Sequence, residues 1–208
     1  MATKPLIGVL ALQGDVVEHL AALERAGARA IAVKTADELA RVDGLVIPGG
    51  ESTTVMKLLD RFGLAVPIVA RVRAGMPLWG TCMGMIVAAR DVSGLEQPTL
   101  GLIDITVRRN AFGRQNESAE IDLPIAALGA APFPAIFIRA PWIERVGPGV
   151  DLLAARDGHG VMVRQGNVLG TSFHPELTHD PRVHAYFLQM VEEARSSQKS
   201  VGNASTAA

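Results

Sequence analysis

Met76-Pro77-Leu78-Trp79-Gly80-Thr81-Cys82-Met83-Gly84 is the stretch on which the fold turns. Met76–Trp79 is a short apolar run and reads as a buried strand. Gly80-Thr81-Cys82 breaks it, and Ile86–Ala89 continues as helix. Glycines flank Cys82 on both sides, one residue removed, which is the G-x-nucleophile-x-G pattern of a sharp strand-to-helix turn. Such a turn leaves no room for side chains at its flanks. It lifts the sulfur to the carboxyl end of a sheet, where a helix N-terminus favours the thiolate. Free cysteine is more often a small buried hydrophobe. The strand–turn–helix setting and both glycines point instead to a nucleophile.

Upstream, the same rhythm repeats. Leu6–Leu12 reads as a buried strand ended by Gln13-Gly14-Asp15. Asp15 is placed to cap the next helix, with Glu18 in the capping-box position. Val16, Leu20, Leu23 and Ala26 recur at helical spacing before Gly27. Ala30–Val33 and Leu45–Ile47 are further strands. Pro48-Gly49-Gly50 breaks the latter, Ser52–Arg61 reads as helix, and another helix precedes Gly75. Strand and helix in alternation predict a mostly parallel sheet covered on both faces.

Downstream the pattern changes. Leu102–Val107, Glu120–Leu123, Phe133–Ile138, Asp151–Ala155 and Val161–Arg164 are short β-like runs. Gln165-Gly166-Asn167 reads as a hairpin turn into Val168–Phe173. Pro181–Ala194 closes as an amphipathic helix, and residues 196–208, small and polar, read as a flexible tail. The expectation is one α/β domain over residues 1–195 with an antiparallel extension.

Bulk composition narrows the function. At 208 residues the chain suits one domain, burying roughly 70% of its unfolded surface. Net charge is −1 and aromatics are 4%, so neither a nucleic-acid surface nor an anionic-membrane surface is indicated. No apolar stretch approaches the roughly 20 residues of a membrane span, and no signal peptide is read at the start. One cysteine excludes an internal disulfide and fits a reducing compartment, the cytoplasm. No Walker loop, GxGxxG fingerprint or metal-ligand spacing occurs, so no metal or other cofactor is expected.

Two further blocks complement Cys82. Thr171-Ser172-Phe173-His174-Pro175-Glu176 ends a predicted strand. In extended backbone His174 and Glu176 share a face, and Pro175 favours extended geometry at His174. The glutamate then orients the imidazole, which takes the thiol proton and returns it to a leaving amine. His19, His159, His179 and His184 read as structural or surface residues. Pro48-Gly49-Gly50-Glu51-Ser52 sits at another strand-to-helix junction, where glycine lets backbone N–H groups approach a substrate oxygen. Gly50 and Met83 are the candidate oxyanion donors. An ordinary β–α turn is an equal reading of that loop by itself. Ser52 lacks the second glycine of a nucleophile turn.

Together these blocks resemble the class I triad glutamine amidotransferases. The order is a Gly-Gly loop, then G-x-C-x-G, then His-Pro-Glu. Leu12-Gln13-Gly14, Pro48–Thr54, Arg109–Gln115, Phe137–Pro141 and Ser172–Leu177 are similar to the glutaminase subunit family of pyridoxal 5′-phosphate synthases, over about Ile7 to Glu193. The resemblance implies a flavodoxin-like three-layer α/β/α fold. It implies hydrolysis of L-glutamine to L-glutamate and ammonia, with Cys82, His174 and Glu176 as the triad. Gly49, Gly50, Glu51, Ser52, Arg109, Ile138 and Arg139 would bind substrate. The ammonia would pass to a synthase subunit in a heteromeric complex, with Gln13 and the first helix near the contact. Glutaminase activity would stay weak until that subunit docks. Met83 stands where the family often has alanine; its N–H is unaffected. Other triad amidotransferases, related cysteine peptidases and a scaffold with a dead site are the competing readings. The Arg109 and Phe137 blocks disfavour the first two, and an intact Cys82-His174-Glu176 set disfavours the third.

Overall fold

The computed structural model describes residues 3–111 and 118–205, with side chains of the final helix described to Ser197. Part of the Arg109–Gln115 block therefore lies outside the described residues.

The first strand, β1 (Leu6–Leu10), is followed by α1 (Val16–Arg25), β2 (Arg29–Val33), α2 (Ala36–Ala40), β3 (Gly44–Ile47), α3 (Ser52–Arg61), α4 (Ala65–Arg73), β4 (Leu78–Thr81) and α5 (Met83–Ala88). The second half holds β5 (Ala89–Val92), β6 (Ile103–Arg108), β7 (Ser118–Leu123), β8 (Phe133–Ile138), β9 (Trp142–Val146), β10 (Asp151–Arg156), β11 (His159–Gln165) and β12 (Val168–Thr171). A 3-10 turn at Pro175–Leu177 and the long helix α6 (Arg182–Ser205) finish the chain.

Strands run in the order β2-β1-β3-β4-β12, all parallel, and continue antiparallel through β11 and β9 to β6, which carries β5 at the edge. The parallel half has the flavodoxin-like order, in which sites form outside the carboxyl ends of the strands. β10 pairs with β11, and β7 with β8 forms a separate hairpin.

Parallel strands covered on both faces must be apolar on both, and β1 and β3 are buried at every residue. Ile7, Val9, Val46 and Trp79 face one layer, where α1 contributes Leu23 and α6 contributes Val183, Phe187 and Val191. Leu6, Leu10, Leu45, Ile47 and Leu78 face the other, filled by Leu39 of α2, Leu59 of α3, Ile68 of α4 and Met85 of α5. Two cores against one sheet make the three layers that the sequence predicts.

Several local expectations change. No capping box forms at Asp15: it is the N-cap of α1, but its side chain makes no cap hydrogen bond. The capping box is instead at α2, a helix that the sequence reading misses, between Thr35 and Glu38. Ala89 begins an edge strand rather than ending a helix, and β9 is a strand that the sequence does not predict. Strand β12 ends at Thr171 rather than Phe173. Helix α6 runs to Ser205, past the predicted end at Ala194. No helix among the described residues is long and apolar enough to cross a membrane.

Candidate active site

Four loops at the carboxyl ends of β1, β3, β4 and β12 meet in one cleft of about 340 Å³. Cys82 sits at its floor, between β4 and α5, with φ 48° and ψ −107°. Non-glycine residues rarely adopt positive φ, and such strain persists only where the surroundings enforce it. Here the Cys82 N–H donates to Thr171 O at 2.7 Å. The flanking glycines are obligatory. A Cβ on Gly80 would stand 2.3 Å from Gly84 O, and one on Gly84 would stand 2.0 Å from Ile47 O. Both obstacles are backbone and cannot rotate aside.

His174 reaches the cleft from beyond β12. Its backbone N–H donates to Ile136 O at 2.8 Å. Its Nδ1 lies 2.7 Å from Glu176 Oε1 and 3.4 Å from Asp15 Oδ2. That leaves Nε2 as the ring nitrogen available to Cys82, which lines the same cleft. The expected side-by-side placement of His174 and Glu176 holds, but not through extended backbone. His174 is the N-cap of the 3-10 turn and Pro175 occupies its first position, where proline's missing N–H costs nothing.

Electrostatics favour the imidazolium. Burial works against the charged ring of His174, but hydrogen bonds with Asp15, Cys82 and Glu176 outweigh it and push its pKa up to about 12. Burial raises the Glu176 carboxyl pKa, while the His174 hydrogen bond and charge oppose that rise. One proton held on Nδ1, against an anionic Oε1, satisfies both groups. Asp15, His174 and Glu176 also form a cluster with ligand atoms within 4.8 Å. The 2.7 Å hydrogen bond already engages the Nδ1 that a cation would need.

The opposite wall comes from the loop after β3. Gly50 has φ 154°, and a Cβ on Gly49 would stand 2.5 Å from His174 Cε1. The Gln13 side-chain oxygen accepts from the Glu51 N–H at 2.8 Å, so the first loop grips this one. Gly50, Glu51, Ser52, Met83, Arg109, Ile138 and Arg139 all line the cleft, whereas Gly49 packs behind it against His174. Glu176 lies buried beneath His174 and does not line the cleft. Met83 opens α5, so its N–H has no intrahelical acceptor. Arg139 takes φ 45° and Asn110 φ 46°. Ile138 O is 3.9 Å from Cys82 Sγ.

Two residues that sequence reasoning missed tie this wall together. Gln97 Oε1 accepts from Ser52 Oγ and from Arg109, each at 3.1 Å. Asp15, read as a cap, faces the imidazole instead. Gln97 lies in a polar loop with no pattern to distinguish it. Asp15 carried a signal, since Gln13-Gly14-Asp15 ends a strand whose neighbours carry the other candidates.

Glu51 anchors the loop twice. It caps α3 by accepting from the N–H groups of Thr53 and Thr54, and it accepts from Arg109 at 2.9 Å. Partial burial pushes its pKa up, but the Thr53 and Thr54 hydrogen bonds prevail and hold it at about 2. A depressed carboxyl pKa contributes stability above the ordinary value of 4.5 that is lost as pH falls through about 2. Glu51→Ala is expected to lose about 1 kcal/mol near pH 7, the usual size of a lost cap. The deficit should shrink through that acid window, as urea unfolding at several pH values would reveal. A deficit independent of pH would mean that the carboxylate charge is not what holds the loop.

Comparison with known proteins adds an independent line. The SNO glutamine amidotransferase family model matches residues 9–193. Pyridoxal 5′-phosphate synthase subunit PdxT of Streptomyces avermitilis is 57% identical over 198 residues, covering 93% of this chain and 98% of that protein. The protein of the same name from Acidothermus cellulolyticus is 58% identical over 197 residues, covering 91% and 95%. A crystal structure of a glutamine amidotransferase superposes with a TM-score of 0.85 at 48% identity, covering 89% of this chain and 98% of that one.

Proposed function

The chain belongs to the SNO glutamine amidotransferase family, and from that premise we propose that it is the glutaminase subunit of a pyridoxal 5′-phosphate synthase, with Cys82, His174 and Glu176 as its catalytic triad. It hydrolyses L-glutamine to L-glutamate and ammonia, and it supplies the ammonia to the synthase subunit with which it forms a heteromeric complex. The observation that supports the residue assignment is that Cys82 and His174 line one cleft, with Glu176 buried beneath and 2.7 Å from His174 Nδ1.

Each step follows from the groups present. The Cys82 sulfur, its proton already held by the His174 imidazolium, attacks the side-chain amide carbon of glutamine. Negative charge on the amide oxygen falls to the N–H groups of Gly50 and Met83. The carbon–nitrogen bond breaks as His174 protonates the departing amine. With the sulfur now bonded to the tetrahedral carbon, Cys82 no longer supports the imidazolium, so the ring yields its proton more readily as the carbon–nitrogen bond breaks. Water then enters, His174 takes one of its protons, and the hydroxyl oxygen attacks the thioester carbon. Glutamate leaves, and the proton stays on His174 beside the freed sulfur. Glu51, Ser52, Arg109, Ile138 and Arg139 hold the amino acid end of the substrate. Arginine's fixed charge and planar donors suit a carboxylate.

A reduced thiol is required throughout, which supports a cytoplasmic location. The test is glutamate release from glutamine, measured for the chain by itself and mixed with its synthase subunit. Release that rises on mixing, and transfer of the 15N label of amide-labelled glutamine into pyridoxal 5′-phosphate, are the expected results. Glutamate release without label transfer would separate the chain from this partner.

A further inference from the structure

Beneath the triad, α1 carries a histidine that the steps above leave unused. His19 is fully buried, with Nε2 3.0 Å from Thr81 Oγ1 and 3.4 Å from Glu176 Oε2. Trp79 meets its ring edge-on at 5.5 Å between centroids, and His184 lies at 5.8 Å. Glu176 uses its oxygens differently. Oε1 binds His174 Nδ1, whereas Oε2 is buried without a conventional side-chain hydrogen bond among the described residues. Apart from the glutamate's own backbone amide, His19 Nε2 is the polar group facing that carboxylate from below.

The tautomer of His19 follows from its surroundings. Burial drives its pKa well below 6.5, and the charges of His184 and His174 add to the effect, so the ring is neutral and carries one N–H. On Nδ1 that proton would have no partner among the described residues, and the Nε2 lone pair would point at an anion. On Nε2 the proton reaches Thr81 Oγ1 at 3.0 Å and faces Glu176 Oε2 at 3.4 Å. An unsatisfied buried donor is costly enough to favour Nε2–H by roughly tenfold or more.

We propose that His19 is a positioning residue of this glutaminase, donating its Nε2–H to Glu176 Oε2 so that Oε1 stays aligned on His174. The proposal rests on the function argued above. His19 touches neither substrate nor nucleophile and acts through Glu176. Thr81 precedes Cys82 directly, so one imidazole joins α1, the strand bearing the nucleophile and the triad carboxylate. The same helix begins beside Asp15 and Gln13, which contact His174 and the Glu51 loop. A shift of α1 therefore reaches both halves of the site.

Two measurements test the assignment on the complex with the synthase subunit and on the intact chain. His19→Leu is expected to lower kcat for glutamate release roughly 10- to 100-fold, the usual cost of losing an orienting partner, with KM for glutamine nearly unchanged. His19→Gln, whose side-chain amide places an N–H near the position of Nε2–H, is expected to recover most of that loss. A merely structural histidine would give equal kcat losses in both variants, or losses that follow stability, and either result overturns the proposal. Nitrogen-15 spectra of histidine in the unsubstituted chain should show His19 neutral with its proton on Nε2; a proton on Nδ1 overturns the proposal even if His19→Leu fails to fold. Should the unsubstituted complex release no glutamate, the proposed function is at fault, and the tautomer still decides whether His19 donates to Glu176.

Discussion

Replacing Cys82 with alanine is expected to lower glutamate release roughly 10⁴-fold or more, the scale seen when a covalent nucleophile is removed. Docking to the synthase subunit should be unaffected, because Cys82 lies at the floor of the cleft and is buried. The same position should also reveal the strain stored in the turn. Cys82 holds φ 48°, a region costly for any residue with a Cβ. Cys82→Gly is therefore expected to be as inactive as Cys82→Ala and yet more stable than it, by about 1 kcal/mol. Urea unfolding compares the two. An alanine variant with substantial glutamate release would remove the sulfur from the chemistry. A glycine variant no more stable than the alanine one would mean that the turn is not strained.

Gly84→Ala carries the second large effect. The added Cβ would lie 2.0 Å from Ile47 O and 2.8 Å from Ile47 C, so α5 must move away from β3. Overpacking of this kind costs roughly 1–3 kcal/mol or more when the obstacle is backbone. Displacing α5 also displaces Cys82 and Met83, and a shift of about 1 Å at reacting groups can cost roughly 100-fold in rate. Gly63→Ala is the control. Gly63 has φ 65° with open space around its Cβ position, so only the conformational cost of about 1–2 kcal/mol applies, and the rate should stay unchanged. Equal rates for Gly84→Ala and the unsubstituted chain would mean that α5 does not fix the nucleophile.

The part of this site that the sequence disclosed is the part where chemistry is bound to backbone geometry. Gly80, Cys82 and Gly84 announce their turn because close packing forbids side chains beside the nucleophile. The adjacent apolar runs of β1, β3 and β4 announce a doubly covered sheet because both faces are buried. Short, largely polar strands are harder to read: Arg90 and Asp91 of the edge strand β5 are exposed, as are Glu144, Arg145 and Val146 of β9. Such segments form through pairing with distant partners, not through a local pattern.

The His174 and Glu176 side chains meet, but on a local geometry other than the strand that their spacing predicts. A two-residue spacing brings side chains together in a strand, and here a 3-10 turn opening at proline does so too. Asp15 reads as a helix cap and His19 as a structural or surface residue because local patterns consider only neighbours in sequence. Their partners, His174 and Glu176, are far along the chain, and only the parallel order of β1, β3, β4 and β12 brings them near.

The central claim is that glutamine is cleaved through a covalent bond to Cys82. Acid quenching of the chain during turnover with its synthase subunit, followed by intact-protein and peptide mass spectrometry, tests it most directly. The expected product is one γ-glutamyl group attached through a thioester, mapped to Cys82 and absent from Cys82→Ala. Steady glutamate release with the acyl group on another residue, or undiminished release from Cys82→Ala, would contradict it.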